Sequence, residues 1–145
     1  MIPKEFSLSG KVAVVGGAGR SWLKELASYL AEAGAGVVLY GQDDQEMAEA
    51  AQAVKKMGRR AMTVIINVTS SREVEKMVAM AVAQFGQIDI LVNSFDRQFA
   101  MPLVEVTVDE WNRVMATNLN AVFVSTKAVG KHMLERKEGK IITIS

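Results

Sequence analysis

The chain of 145 residues contains no cysteine. Disulfides, thiolate nucleophiles and cysteine-bound metals are excluded, no metal site is expected, and the composition fits a reducing compartment. Histidine is almost as scarce: His132 stands alone, near the end of a predicted helix, and reads as a capping or surface residue. Neither sign of charge dominates, since 17 Lys and Arg stand against 16 Asp and Glu. That balance gives no reason to expect nucleic acid or an anionic membrane as partner. No uncharged apolar run approaches the roughly 18–20 residues of a membrane span, and the stretch from Met1 to Glu5 lacks a signal peptide's apolar run. A cytoplasmic protein is expected. Repeats, low-complexity tracts and linkers are also missing.

What is present is an ordinary globular balance, 50% hydrophobic and 23% charged, in a length that suits one domain over residues 1–145. Folding could bury roughly two-thirds of the unfolded surface. Strand and helix patterns alternate. Apolar runs predict strands at Val12–Val15, Val37–Tyr40, Ala61–Ile66, Ile88–Val92 and Lys140–Ile144. Helical spacing predicts Ser21–Ala33, with Trp22, Leu26, Tyr29, Leu30 and Ala33 on the core face. A second helix runs from Asp43 to Met57 along Met47, Ala50, Val54 and Met57. A third follows a Ser70-x-x-Glu73 capping box, with Val74, Met77, Val78, Ala81, Val82 and Phe85 on one side and Gly86 as its stop. A fourth follows Thr107-x-x-Glu110 and runs to about Leu134. Five continuous apolar strands joined by four helical crossovers predict an α/β fold: a doubly wound parallel sheet covered on both faces, three layers in all, ending after the fifth strand. The connection Ser94–Val106 is long for such a loop and sits where ligand sites form.

The first crossover carries the most information. Val12–Val15 runs into Gly16, Gly17 and Gly19, and a helix pattern follows at once. Strand, glycine turn and helix build a corner where backbone N–H groups and a helix N-terminus can meet a phosphate. Alone, this turn fits a nucleotide corner and a ligand-free glycine turn equally.

Later segments narrow the choice. Lys11-Val-Ala-Val-Val15, Asn67-Val68, Gly86-Gln-Ile-Asp-Ile-Leu-Val-Asn93, Asp109-Glu-Trp-Asn-Arg-Val-Met-Ala-Thr-Asn118-Leu-Asn-Ala-Val-Phe123 and Gly139-Lys-Ile-Ile-Thr-Ile-Ser145 occur in order. Together the whole chain resembles the N-terminal part of a classical short-chain dehydrogenase/reductase. The resemblance implies a Rossmann-like fold, a nicotinamide dinucleotide, a small carbonyl or alcohol as substrate, and hydride transfer. It also implies a catalytic Asn, Ser, Tyr and Lys. Asn118 matches the asparagine. Ser145 falls one position before the serine, and neither Tyr29 nor Tyr40 has a lysine four residues on. The chain as given is therefore expected not to catalyse the family reaction.

The resemblance assigns the cofactor to Gly16, Gly17, Gly19, Arg20, Ser21, Trp22, Gln42, Asn67, Val68, Asn93, Ser94 and Phe95. Several depart from the family pattern T-G-x-x-x-G-x-G. Ser21 puts a side chain where backbone should approach a pyrophosphate. Leu23 stands where helix and strand should pack closest, so it should push the helix outward or reroute the loop. Weakened or lost cofactor binding is expected. Gly41 replaces the acid that would accept from a ribose 2′-OH, Gln42 follows it, and Arg20 could meet a 2′-phosphate; these favour NADP over NAD. Asn67 replaces an Asp facing the adenine, with an amide oxygen still able to accept. Phe95 and Asp96 put bulk and charge beside the cofactor. The long helix from Thr107 implies a homo-oligomer. Two other readings remain: a non-catalytic nucleotide-binding or interaction module of the same descent, and a methyltransferase-like fold, which the Gly86–Asn93 match opposes.

Overall fold

A computed structural model describes residues 2–18, 22–98 and 100–144. Five parallel strands, β1 (Val12–Ala18), β2 (Gly36–Gly41), β3 (Ala61–Ile65), β4 (Ile90–Phe95) and β5 (Lys140–Thr143), form one sheet in the order β3-β2-β1-β4-β5. Helices α1 (Trp22–Glu32) and α2 (Asp44–Lys56) cover one face. The other is covered by α3 (Ser71–Phe85) and α5 (Ala121–Arg136), with α4 (Val108–Met115) leading into α5. This is the expected doubly wound, Rossmann-like α/β fold. Its crossover returns on both sides of β1, which leaves the carboxyl ends of β1, β2 and β4 flanking a crevice where such sheets take ligands.

Side-chain alternation divides the core in two. Val12, Val14, Val38, Leu91 and Phe95 pack with Val74, Met77 and Ala81 of α3 and with Ala121, Val124, Val129 and Met133 of α5. Ala13, Val15, Val37, Leu39 and Val92 face Leu23, Ala27 and Ala31 of α1 and Met47, Ala50 and Val54 of α2. Each fully buried Val or Leu contributes about 1.5–3 kcal/mol. The central strand β1 is buried on both faces, as a parallel sheet requires.

Helix ends follow local chemistry. Asp43 caps α2 through a bond from the Glu46 N–H (3.0 Å). At Thr107 both halves of the capping box form. At Ser70 only half does: its hydroxyl accepts from the Glu73 N–H, but the Glu73 carboxylate accepts from the Asn67 N–H instead (2.8 Å). Gly86 ends α3 in the left-handed region (φ 87°), where a side chain would be strained.

Four expectations are corrected. β1 runs on to Ala18, pairing Gly16 with Asn93 and Gly17 with Ser94. Gly17 is thus a strand residue with no left-handed φ, not a tight turn. β4 begins at Ile90 and reaches Phe95, two residues later at its start and three at its end than expected. The core face of α1 is Leu23, Ala27 and Ala31, with the expected Leu26 and Leu30 packed partly buried beside them, while Trp22 and Tyr29 are 61% and 68% exposed. Small alanines at four-residue steps let the helix lie close to the sheet, and the larger aromatics fall outside. The fourth helix, whose spacing puts Trp111, Val114, Met115, Leu119, Val122 and Phe123 on one expected core face, is broken by a π-helical turn at Ala116–Asn120; its buried face in α5 is Ala121, Val124, Ser125, Val129 and Met133, with Val122 packed against them, while Trp111, Leu119 and Phe123 are exposed.

Candidate functional site

The carboxyl ends of the strands gather most of the residues expected to meet a cofactor. Gly19, Arg20 and Ser21 lie outside the described residues, as does Ser145. Gly16 and Gly17 end β1, Trp22 opens α1, Gln42 follows β2, Asn67 and Val68 follow β3, and Asn93, Ser94 and Phe95 end β4.

Gly16 is fixed by its neighbours on the sheet. A Cβ there would collide with the Tyr40 ring on one side and lie 2.6 Å from the Phe95 ring on the other. The two rings meet edge to face at 5.8 Å. Phe95 is 4% exposed and points into the core, because 91, 93 and 95 alternate onto the α3–α5 face. Its ring is therefore not set beside a cofactor as expected; half-buried Ser94 takes the opposite orientation. Tyr40 is fully buried, and among the described residues its hydroxyl makes no hydrogen bond of good geometry, with Ser125 the nearby polar group. Burial pushes the phenol well above its usual range, with Ser125 acting in the opposite direction.

Leu23 is also absorbed rather than exposed. It is 2% exposed, and its Cδ1 would stand 3.0 Å from a Cβ at Gly17. The missing side chain of Gly17 makes room for the leucine that replaces a glycine further on.

Asn93 is buried and its amide is engaged inside the protein. Its Oδ1 accepts from Ser125 Oγ (2.7 Å), and its Nδ2 donates to Thr126 Oγ1 (3.2 Å) and Thr143 Oγ1 (3.4 Å). This knot ties β4 to α5 and β5. The Asn93 carbonyl is engaged as well, accepting from the Ile144 N–H (2.9 Å). Asn67 behaves similarly: its Oδ1 accepts from both the N–H (3.0 Å) and the hydroxyl (2.8 Å) of Thr69. Both lone pairs expected for an adenine amino group are occupied by the turn. Val68 is a core residue by side chain.

Asn118 lies in the π-helical turn between α4 and α5. Its Oδ1 accepts from the Arg97 N–H (2.7 Å) and its Nδ2 donates to the Arg97 carbonyl (3.1 Å). The amide clamps the backbone just after β4. A π turn widens a helix by one residue and is frequent at functional sites; here it aims the amide at the loop.

Three positions important to the architecture escaped the sequence reading. Asp89, 4% exposed, accepts from the Val12 N–H (2.8 Å), Gln87 Nε2 (2.7 Å) and Arg136 (3.1 Å), with Lys11 at 3.8 Å. Burial alone would raise its carboxyl, but the Val12, Gln87 and Arg136 donors and Lys11 outweigh it and hold the pKa low. An acid between Ile88 and Ile90 was the available signal. Ser125 and Thr126 were the other two, small polar residues on an otherwise apolar helix face. His132, expected as a capping or surface residue, is half-buried and instead accepts from the Ile88 N–H (3.3 Å), tying α5 to the segment before β4. Among the described residues no group of three or more acids or histidines could hold a metal, and no helix is long and apolar enough to cross a membrane.

Comparison with known proteins agrees with the geometry. The sequence profile described as short chain dehydrogenase matches residues 11–145. The chain is 40% identical over 142 residues to gluconate 5-dehydrogenase of Gluconobacter oxydans (strain 621H), covering 98% of this chain and 56% of that protein. It is 34% identical over 139 residues to 5-keto-D-gluconate 5-reductase of Escherichia coli (strain K12), covering 96% and 55%. Among solved structures, NAD+-bound xylitol dehydrogenase superposes with a TM-score of 0.87 at 32% identity, covering 97% of this chain and 54% of that one. The chain thus spans about half the length of the relatives it matches.

Proposed function

The chain belongs to the short-chain dehydrogenase family, and from that premise we propose that residues 1–145 form one dinucleotide-binding domain of an NAD(P)-dependent oxidoreductase. Its reaction interconverts a small carbonyl compound and the corresponding alcohol by hydride transfer. Sugar acids are the first substrates to test, since two relatives are named for gluconate chemistry.

The observation that carries this reading is the clearing of the carboxyl edge. Phe95 turns into the core and Leu23 packs against Gly17, so neither of these bulky replacements projects into the crevice. The residues present fit a dinucleotide there through the backbone of Gly17, Gln42, Val68 and Ser94 more than through their side chains. When bound, a nicotinamide ring would give or take the hydride. Asn118 holds the loop after β4 through the backbone N–H and carbonyl of Arg97. The Asn93 knot holds β5 in register beside β4. Gly41 and Gln42 favour NADP over NAD, because no acid stands at either position to repel a 2′-phosphate. A second copy of the chain is the proposed partner, through the outer face of α4 and α5.

Titration with NADPH and NADH tests the reading. Trp22, exposed at the start of α1, should report binding by a change in fluorescence, with calorimetry giving the affinity. Micromolar binding of either cofactor supports the proposal. Absence of binding at millimolar concentration overturns it and favours the non-catalytic module.

A further inference from the structure

The entry to β4 is clipped by two side chains one helical turn apart. His132 and Arg136 stand at i and i+4 on α5 and so share a face. His132 Nε2 accepts from the Ile88 N–H (3.3 Å), and Arg136 Nη1 donates to the Ile88 carbonyl (2.8 Å). Arg136 Nη2 reaches on to Asp89 Oδ1 (3.1 Å). Ile88 is fully buried, and both of its backbone groups are met by α5. The next residue joins two strands: the Asp89 N–H donates to the Val12 carbonyl of β1, and the Asp89 carbonyl accepts from the Lys140 N–H of β5 (both 2.9 Å). This node lies at the amino end of the sheet, opposite the crevice.

We propose that His132 is an acid-released latch that holds α5 to the entry of β4. Accepting at Nε2 requires that nitrogen to be unprotonated, so the neutral ring carries its proton on Nδ1. A proton added at Nε2 sets a donor against the Ile88 donor and a second cation one turn from Arg136. A buried N–H left without its acceptor costs its full desolvation penalty. The charges around the ring do not reverse this. Glu75, Glu135 and Glu138 line the same groove as Lys131 and Lys137, and Arg136 is paired with Asp89; among the described residues the ring's one hydrogen bond is to Ile88. The unfolded chain therefore takes up a proton that the folded state excludes, and stability falls as pH drops through the histidine range. Two carboxyls separate from this effect. Asp89 stays ionised there, since its donors and Lys11 outweigh its burial. Glu46 on the other face is pushed up by burial and by Asp43, Glu25 and Glu49, which stabilises the fold towards acid, the opposite sign.

His132 is the only histidine in the chain, so its ring is followed without ambiguity. The test takes the unchanged chain, His132→Gln and His132→Phe at about pH 7.5 and about pH 5.5, either side of the histidine range. Urea denaturation reads the unfolding equilibrium constant, hydrogen exchange reads the Ile88 amide, and nitrogen NMR reads the protonation of the ring. In the unchanged chain the constant should rise about tenfold at the lower pH, the scale of one hydrogen bond lost. The Ile88 amide should lose protection there beyond the intrinsic change of exchange with pH. His132→Gln keeps an acceptor that does not titrate, so its constant should move by less than about twofold. His132→Phe should be as flat, and already weakened about tenfold at the higher pH. A constant that does not move in the unchanged chain overturns the latch, as does the full acid slope retained in His132→Gln. If either variant fails to fold, the unchanged chain still decides: a folded-state ring protonated on Nε2 at the higher pH overturns the proposal.

Discussion

At the scale of single residues, the fold contains polar groups satisfied to very different degrees, and each difference can be measured. The Tyr40 hydroxyl is fully buried and makes no hydrogen bond among the described residues. A buried hydroxyl without a hydrogen bond costs stability rather than supplying it. Tyr40→Phe should therefore leave stability unchanged or raise it by up to about 1 kcal/mol, read from urea denaturation; a loss of that size would mean that the hydroxyl has a partner. Asp89 is the opposite case. Val12 and Gln87 donate to its Oδ2, and Arg136 donates to its Oδ1 with Lys11 nearby. Asp89→Asn would turn an amide NH2 towards one of these donor sets and should cost about 1–3 kcal/mol. The pH dependence has a definite sign. The folded pKa of Asp89 is lowered, so the folded state holds fewer protons than the unfolded chain in that range. Its contribution is present above the unfolded carboxylate value of about 3.9 and is lost as pH falls through the lower folded value. The acid limb of the stability curve should be shallower in Asp89→Asn, and an identical limb would show that Asp89 does not act through its charge.

At the scale of elements, much was legible because strands and helices obey periodicities that the sequence displays directly. Each of the five strands was found, with boundary shifts, because buried parallel strands are apolar throughout. Helix stops at Gly86 and caps at Asp43 and Thr107 follow from local bonds alone. What failed depended on packing between elements. Trp22 and Tyr29 carry more apolar surface than Ala27 and Ala31, yet the alanines are buried because α1 lies close to β1, β2 and α2. Phe95 was placed beside the cofactor because the extension of β4, and so the alternation of 91, 93 and 95, was not visible from local pattern. The π turn at Ala116–Asn120 left no periodic trace, since one inserted residue rotates the helix face without interrupting its propensity. That turn makes a prediction at the same scale. Asn118→Ala removes both bonds to the Arg97 backbone. The Arg97 amide should exchange with solvent at least about tenfold faster, the equivalent of one hydrogen bond, while α3 and the central strands keep their protection. Unchanged exchange at Arg97 would remove the clamp from the account of the site.

At the scale of the molecule, apolar surfaces on α4–α5 and at β5 face outward, and they differ in the assembly each can build. Trp111, Leu119 and Phe123 are exposed at four-residue steps along α4, the π turn and α5, with Met115 half-buried between them; such a stripe is self-complementary across a two-fold axis and closes into a dimer. The other surface is β5, at the edge of the sheet, where Ile141 and Ile142 are exposed, with Ile144 exposed just past it. A flat apolar edge pairs without closing and leads to aggregation. The two modes separate by substitution. Phe123→Asp should convert a discrete dimer to monomer in sedimentation velocity while changing monomer stability by no more than about 0.5 kcal/mol, because the ring is 63% exposed. Ile142→Lys should leave the dimer intact and reduce concentration-dependent turbidity, since an outward lysine blocks edge pairing. A dimer that survives Phe123→Asp and dissociates in Ile142→Lys would assign assembly to the sheet edge instead. In that case the outer face of α4 and α5 would have to be withdrawn as the partner surface.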